Sequence, residues 1–478
     1  MQKRLTIIVL SLLLSGCSGM QKNVQTGDLQ NNVGFSAAGN TAKKADPPID
    51  FGQDLSLDEA IELALQRNPG IQVQRHQAQS ARANWWEARG KRLPHLSAAA
   101  SANRYLDDQR LVPASSPGGP GAYSADQYGT DLVLELPLFS GGSLINRASA
   151  AGLVAEASLE RLGRTQEETV FNVTSTFYAI LEQRQVIDSL LFSRKSVSRQ
   201  KQNIQDMIAV GKGVRVDLLR VRVRLSDIEQ QIITEENRLD ALNRLLANLL
   251  GIETEQKHLP VQGDLSFENS GVASSVSSGV FGDLLWQDIH TARRDYQALK
   301  NEAQAAEKSL AAARGEYFPR IDLRGTYGGR WAEGDTTVQA GASEAEDVGS
   351  IGLRLEVPLF TGGEISARTA GARAEQAALQ ARLRELELEI RLEVQNARDA
   401  VIAGKKQVQT TQAAIEEAAE ALDIEQIKYN LGKGTIVDVL DAQDALLRVQ
   451  TNLARALAAY NTDLARLELA RGTILDKE

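Results

Sequence analysis

The chain has 478 residues, 42% of them hydrophobic, 24% charged and only 5% aromatic, with a formal net charge of −9. That length leaves room for several domains, and the composition is helix-rich and poor in the large rings that fill globular cores. The acidic balance argues against a nucleic-acid partner. His76, His95, His258 and His290 have no metal-ligand spacing, and Cys17, the only cysteine, excludes an intramolecular disulfide.

The start carries a basic Lys3-Arg4 followed by an apolar run, Leu5 to Leu14, too short to span a bilayer as a helix. Leu14-Ser15-Gly16-Cys17 follows and resembles the lipobox of bacterial lipoproteins. The resemblance implies that residues 1–16 are a signal peptide and that Cys17 becomes the lipidated first residue. Ser18, where an Asp would retain the protein in the inner membrane, implies the outer membrane. The alternative is an ordinary cleaved signal followed by a lone cysteine. Residues 17–54 are polar and read as a lipidated tether.

Ser56-Leu57-Asp58-Glu59 has the form of a capping box, and the helix it opens is broken at Pro69 and restarts to about Gly90. A strand hairpin over 94–139 follows, its loop running from Asp107 to Gln127. Tyr128, Thr130, Leu132, Leu134, Leu136 and Leu138 make one face of its second strand. The proline-free stretch 143–210 predicts one helix about 100 Å long. Gly211-Lys212-Gly213 ends it, and a helix over 214–250 returns.

Residues 251–282, with Pro260 and a Ser/Gly/Val stretch, read as a connector wrapping the helices at mid-height. The order then repeats over 283–471. A helix runs from Asp283 to Gly315, and a strand hairpin covers 319–360 with its loop from Ala332 to Asp347. Ile321, Leu323, Tyr327 and Trp331 alternate there with Arg320, Asp322, Arg324, Thr326 and Arg330. A second proline-free helix covers 364–431. Its apolar stripe, Leu379, Leu383, Leu386, Ile390, Val394, Ala397 and Val401, averages about 3.67 residues per turn, which keeps the helix almost straight. Gly432-Lys433-Gly434, a return helix over 435–471 and a tail over 472–478 complete the chain.

The landmarks recur at a nearly constant offset. Leu134-Glu-Leu-Pro-Leu-Phe-Ser-Gly-Gly142 answers Leu355-Glu-Val-Pro-Leu-Phe-Thr-Gly-Gly363, and Gly211-Lys212-Gly213 answers Gly432-Lys433-Gly434, each 221 residues on. The chain therefore reads as one unit written twice. In each unit the two shorter helices run the same way and together match the long one, so they stack end to end beside it.

Four strands cannot close a barrel, since even small ones need about eight. Yet the strands are apolar on alternate positions and end in aromatics (Tyr128, Phe139, Tyr327, Trp331, Phe360), like the girdles of outer-membrane barrels. An open sheet in lipid would leave unpaired edges, so several chains must pool their strands. The alternative is a soluble sheet packed on helices.

The doubled order, the Pro-Leu-Phe-(Ser/Thr)-Gly-Gly entries and Tyr429-Asn-Leu-Gly-Lys-Gly-Thr-Ile-Val-Asp-Val-Leu-Asp-Ala442 together resemble the TolC family of outer-membrane efflux proteins, in its lipoprotein branch. The resemblance covers about residues 50 to 471. It implies a mainly α protein with a transmembrane β-barrel, a homotrimer whose twelve strands stand on a periplasmic tunnel of long helical hairpins. It implies a passive exit duct in a tripartite system, with a periplasmic adaptor and an inner-membrane pump of RND or ABC type as partners. The implied location is the outer membrane, lipid-anchored and extending into the periplasm.

The same resemblance assigns residues. Gly211, Lys212, Gly213, Gly432, Lys433 and Gly434 are the adaptor-docking turns, and Gly211 and Gly432 take positive φ. Tyr429, Asp438, Asp441 and Asp217 belong to the periplasmic gate. Asp438 and Asp441 share one helical face and would form carboxylate rings in the lumen; the alternative is a pair of solvated first-turn acids favoured by the helix dipole. Arg220 stands where the first unit would repeat Asp441. The family's basic residue five positions beyond Tyr429 is Gly434 here.

A lipid-tethered periplasmic structural or adaptor coiled coil is the rival reading. It explains the helices and Cys17 but not four alternating strands. No nucleophile–base pair, metal cluster or phosphate loop after a strand supports an enzyme or a cofactor, since the Gly-Lys-Gly turns follow helices.

Overall fold

The computed structural model describes residues 55–113, 119–253, 259–267, 283–333, 336–340, 342–343 and 345–475. The signal peptide, Cys17, the tether, much of the connector and the end of the tail lie outside the described residues. Along the chain come α1 (Leu57–Arg67), α2 (Pro69–Gly90), β1 (His95–Arg110), β2 (Ala122–Phe139), α3 (Ser143–Ala209) and α4 (Arg215–Leu249). Then follow α5 (Asp283–Ala292), α6 (Arg294–Gly315), β3 (Arg320–Ala332), β4 (Thr336–Val338), β5 (Ala345–Glu356), α7 (Glu364–Asn430) and α8 (Ile436–Arg471).

The long helices α3 and α7 have 67 residues each, about 100 Å at 1.5 Å per residue. The chain is mainly helical with a small sheet. No helix among the described residues is long and apolar enough to cross a membrane.

The shorter helices meet end to end, and each joint has a polar residue at its centre. Asn68 caps α2 through Gly70 N–H at 2.8 Å, with Pro69 in the first turn, where its missing N–H costs nothing. The Asn68 amide also donates to the Leu249 carbonyl at 2.8 Å, which ties the end of α4 to the start of α2. At the matching joint the sequence predicts one unbroken helix, Asp283 to Gly315, and the structure differs. Arg293 leaves helical geometry (φ −69°, ψ 110°) and divides α5 from α6.

The physical cause is the Arg293 guanidinium, only 1% exposed. It donates to both carboxylate oxygens of Asp295, to Glu393 at 2.8 Å and to the Ala470 carbonyl at 3.0 Å. A buried cation must be paired and hydrogen-bonded. Arg293 meets that demand by linking α6, α7 and the end of α8.

α3 is the central rod. It packs against α2 and α4 on one side and α6 and α8 on the other, while α7 packs on α6 and α8. Near the sheet the contacts are small, Ala148, Ala155 and Ala157 with Ala305, Ala306 and Ala312, so these helix backbones approach closely. Further away they become large: Ile390, Val394, Ala397 and Val401 of α7 enclose Leu457, Tyr460 and Leu467 of α8. Each such aliphatic side chain contributes about 1.5–3 kcal/mol when buried. Leu379, Leu383 and Leu386, at the upper end of the same stripe, are only half-buried.

The sheet is antiparallel, ordered β1-β2-β3-β5, with β4 paired to the start of β2. β4 is a correction: the loop from Ala332 to Asp347 was expected to be an exposed turn, but its β-branched Thr336-Thr337-Val338 pairs with Ala122, Tyr123 and Ser124. The first hairpin likewise extends past its expected loop ends, to Arg110 and from Ala122. There the Arg110 side chain holds the connecting loop through the carbonyls of Val112, Gly119 and Pro120.

Register separates the two faces. Leu96, Leu134 and Gly325 lie in one row with Ile351, and Ala98, Leu132 and Tyr327 lie in the next. Ile351 is 77% exposed, Leu96 71% and Leu353 69%, all on this apolar face. The other face carries Arg330 against Asp131 at 2.9 Å, Arg324 near Glu135 at 3.7 Å and Thr326 bonded to Ser350 at 2.8 Å. A β-bulge at Pro137–Phe139 returns Phe139 to the apolar side opposite Ile321, so Leu138 leaves the alternation expected of it.

Sheet and helices join at a close backbone crossing. A Cβ on Gly141, whose φ is 60°, would stand 2.1 Å from the Gly315 carbonyl oxygen, so only glycine fits. Beside it Glu316 receives Arg147 of α3 and Arg368 of α7, clamping both long helices at the foot of the sheet.

Candidate functional site at the Gly-Lys-Gly turns

Both long helices end in the same backbone arrangement. Gly211 has φ 75° and Gly432 φ 71°. Lys212 N–H donates to the Met207 carbonyl at 2.8 Å and Lys433 N–H to the Lys428 carbonyl at 2.9 Å. Gly211 N–H and Gly432 N–H close the inner bonds to Ile208 and Tyr429. This is a Schellman termination, and it leaves Lys212 and Lys433 exposed at the far end of each hairpin.

The two return helices begin differently, which divides the roles of the two matching aspartates. In α8, Thr435 is the N-cap, and Asp438 completes a capping box by accepting from Thr435 N–H at 3.0 Å and Thr435 Oγ1 at 2.7 Å. These hydrogen bonds hold the Asp438 carboxyl below its ordinary pKa. In α4 the N-cap is Val214, which has no side-chain oxygen to take part in a box. Asp217 is therefore free to face the other hairpin. Its charge acts on the Tyr429 hydroxyl of α7, and Arg220 lies 3.9 Å away. Burial pushes the Tyr429 hydroxyl up, and the nearby Asp217 charge adds to it.

The structure thus brings Tyr429 and Asp217 together and leaves Asp438 and Asp441 exposed on the first turns of α8. Tyr429 also packs against a cluster that holds Ile204 of α3, Val221 of α4 and Ile436 of α8.

Farther from the turns lie polar links that the sequence reading missed. Arg224 of α4 pairs with Asp444 of α8; burial raises the Asp444 carboxyl while Arg224 opposes it. Gln183 of α3 donates to Glu235 of α4 at 2.7 Å, and Arg455 of α8 lies 3.9 Å from Glu182. No motif marks these side chains. The signal available was their position on the inward sides of helices that share one apolar cluster.

The family described as "Outer membrane efflux protein" matches residues 60–252 and 285–473, most of both halves. The chain belongs to the outer membrane efflux protein family.

Relatives within it include the toluene efflux pump outer membrane protein TtgI of Pseudomonas putida, 24% identical, the match covering 92% of each chain. The alkaline protease secretion protein AprF of Pseudomonas aeruginosa is 23% identical over 88% of this chain and 85% of its own. The crystal structure of the Campylobacter jejuni CmeC outer membrane channel superposes with a TM-score of 0.75 at 17% identity, covering 91% of both chains. As an outer membrane efflux protein the chain is the outer-membrane channel component of a tripartite efflux or secretion system, a transport duct and not an enzyme.

Proposed function

We propose that three copies close into one duct: a twelve-stranded barrel in the outer membrane standing on a helical tunnel, in which each chain is the tandem repeat of one strand-and-helix unit. The observation that carries this reading is the sheet. Its one face is apolar and exposed, its other face is charged, and β1 and β5 present free edges. Lipid tolerates neither an open edge nor an unpaired backbone. Pairing β1 of one copy with β5 of the next removes every edge. Two copies would supply eight strands and three supply twelve; the TolC-family resemblance selects three.

Dimensions and shape support it. Aromatic belts lie at Tyr128 with Trp331, stacked at 6.1 Å, and at Phe139 with Phe360. Ile321 to Trp331 is roughly 33 Å of strand, or about 25 Å at a 40° tilt, the height of an outer-membrane apolar band. Below the sheet a cleft of about 650 Å³ is lined in turn by Gln74 of α2, Arg161 of α3, Glu302 of α6 and Arg382 of α7. Such a hollow fits the concave inner wall of a tunnel segment.

In this reading Gly211–Gly213 and Gly432–Gly434 are the turns on which a periplasmic adaptor docks, bridging to an inner-membrane pump. Crosslinkers placed at Lys212 or Lys433 should capture that adaptor. Tyr429, Asp217, Asp438 and Asp441 form the gate. Cys17 carries lipid, to be read as an acyl mass on the mature N-terminus; an unmodified Cys17 would refute it. Native mass in detergent tests the ring itself. A trimer is expected, and a monomer that conducts ions would overturn the proposal, because four long strands cannot close.

A further inference from the structure

Two helix faces near the turns have no partner among the described residues. On α4, Val216, Leu219 and Val223 form one stripe and are 46%, 50% and 63% exposed, flanked by exposed Arg215, Arg220 and Arg222. On α7, Ile424 and Ile427 are about half exposed, among the exposed acids Glu416, Glu417, Glu420 and Asp423. One face is apolar and basic, the other apolar and acidic. Arg222 lies about two turns into α4 and Asp423 about two turns short of the end of α7, so the opposite charges stand at the same height above the turns.

These faces cannot meet inside one chain. Val221 and Ile228 of α4, and Leu422 and Tyr429 of α7, point inward to one cluster with Ile436 and Val439 of α8. The faces carrying the arginines and the acids therefore look away from each other. Arg215, Arg222, Glu420 and Asp423 make no ion pair among the described residues. Complementary surfaces pointing apart on one subunit define a head-to-tail contact, which generates a closed ring when the rotation permits.

We infer that the copies are joined near the turns by α4 of one chain against α7 of the next, with Arg222 facing Asp423 and Glu420 beside the two apolar stripes. This rests on the ring proposed above and adds the seam and its chemistry. Exposed ion pairs are screened by salt, so the seam is held more weakly at high ionic strength.

The test is a cysteine pair in the full-length protein, Val223→Cys with Ile424→Cys, oxidised in outer-membrane vesicles. Covalent dimers and trimers are expected from the double variant and from neither single one. Arg222→Glu should cut their yield about fivefold or more, and adding Glu420→Arg with Asp423→Arg should restore it. Trimers by native mass without intermolecular crosslinks would overturn the seam and leave the ring intact. Crosslinks indifferent to charge reversal would overturn the electrostatic pairing. A monomeric mass would overturn ring and seam together.

Discussion

The Asp217 carboxylate, in the first turn of α4, faces Tyr429, in the last turn of α7, closely enough that its charge adds to burial in raising the hydroxyl's pKa. The pair brings the two hairpins of one chain together at their far end, where the helices would separate in the proposed gate. We propose that the hydroxyl closes onto the carboxylate in the shut duct, and a hydrogen bond to a charged group contributes about 1.5–3 kcal/mol. Tyr429→Phe keeps the ring in its apolar cluster and removes only that bond. The closed state should lose roughly tenfold to a hundredfold in population, read as higher single-channel conductance in planar bilayers with unchanged trimer yield. Unaltered conductance would show that the bond does not restrain the gate.

Much of this fold is legible in the amino-acid sequence. The long helices end where Gly211 and Gly432 allow a left-handed turn, and no proline interrupts them, so their limits follow from local chemistry. The alternation in β3 and β5 places Ile321, Leu323 and Ile351 on one face because a strand's period is two. What stayed hidden depends on long-range partners. The break at Arg293 has no proline or glycine to announce it; it exists because Glu393 and the Ala470 carbonyl, far along the chain, solvate a buried guanidinium. Its one sequence clue is that Arg293 and Asn68 hold matching places in the two halves. Likewise the equivalent Asp217 and Asp438 differ because Val214 cannot cap a helix and Thr435 can.

That difference refines the charge rings. Asp438 is occupied by its capping box, whereas Asp441 has no structural duty among the described contacts. Clustered carboxylates around an axis attract cations. Asp441→Asn should lower cation preference and block by multivalent cations while leaving folding intact. Asp438→Asn should add fraying of the first turn of α8, seen as faster amide exchange at Thr435 and Asp438. A cation/anion ratio unchanged in both variants would remove these carboxylates from the lumen.

Arg293 sets a stability prediction. Removing one member of a buried ion pair costs about 3–5 kcal/mol where the partner is left buried and unpaired; Glu393 is half-exposed and Asp295 keeps Arg164, which places the cost at the lower end. Arg293→Ala should destabilise the chain by that order and expose the α5–α6 joint to limited proteolysis. Neutralising its partners as well, with Asp295→Asn and Glu393→Gln, should recover a large part of the loss. If the single and triple variants unfold alike, the damage lies in packing and not in orphaned charge.

The same joint should give stability an optimum in mild acid. Glu167 of α3 is 1% exposed; burial raises its carboxyl above the ordinary range, outweighing Arg164 and Arg294. Asp295 lies beside it, with Arg164 reaching Glu167 at 3.3 Å and Asp295 at 3.9 Å. Burial pushes Asp295 up too, but its hydrogen bonds and the charges of Arg293 and Arg164 win, and its carboxyl ends below the ordinary range. The signs are opposite by linkage. Folded Glu167 takes up its proton before the unfolded chain does, so stability rises as pH falls from neutral toward about 4.3, the ordinary glutamate value. Folded Asp295 holds its charge after the unfolded chain has lost it, so its contribution is whole above about 3.9 and disappears as pH falls through its lowered pKa. Glu167→Gln should abolish the rise and leave the acid loss; Asp295→Asn should lower stability at neutral pH and flatten the acid loss. Denaturant midpoints measured across pH decide it, and a wild-type profile falling steadily from neutral pH would show that Arg164 and Arg294 keep Glu167 charged throughout.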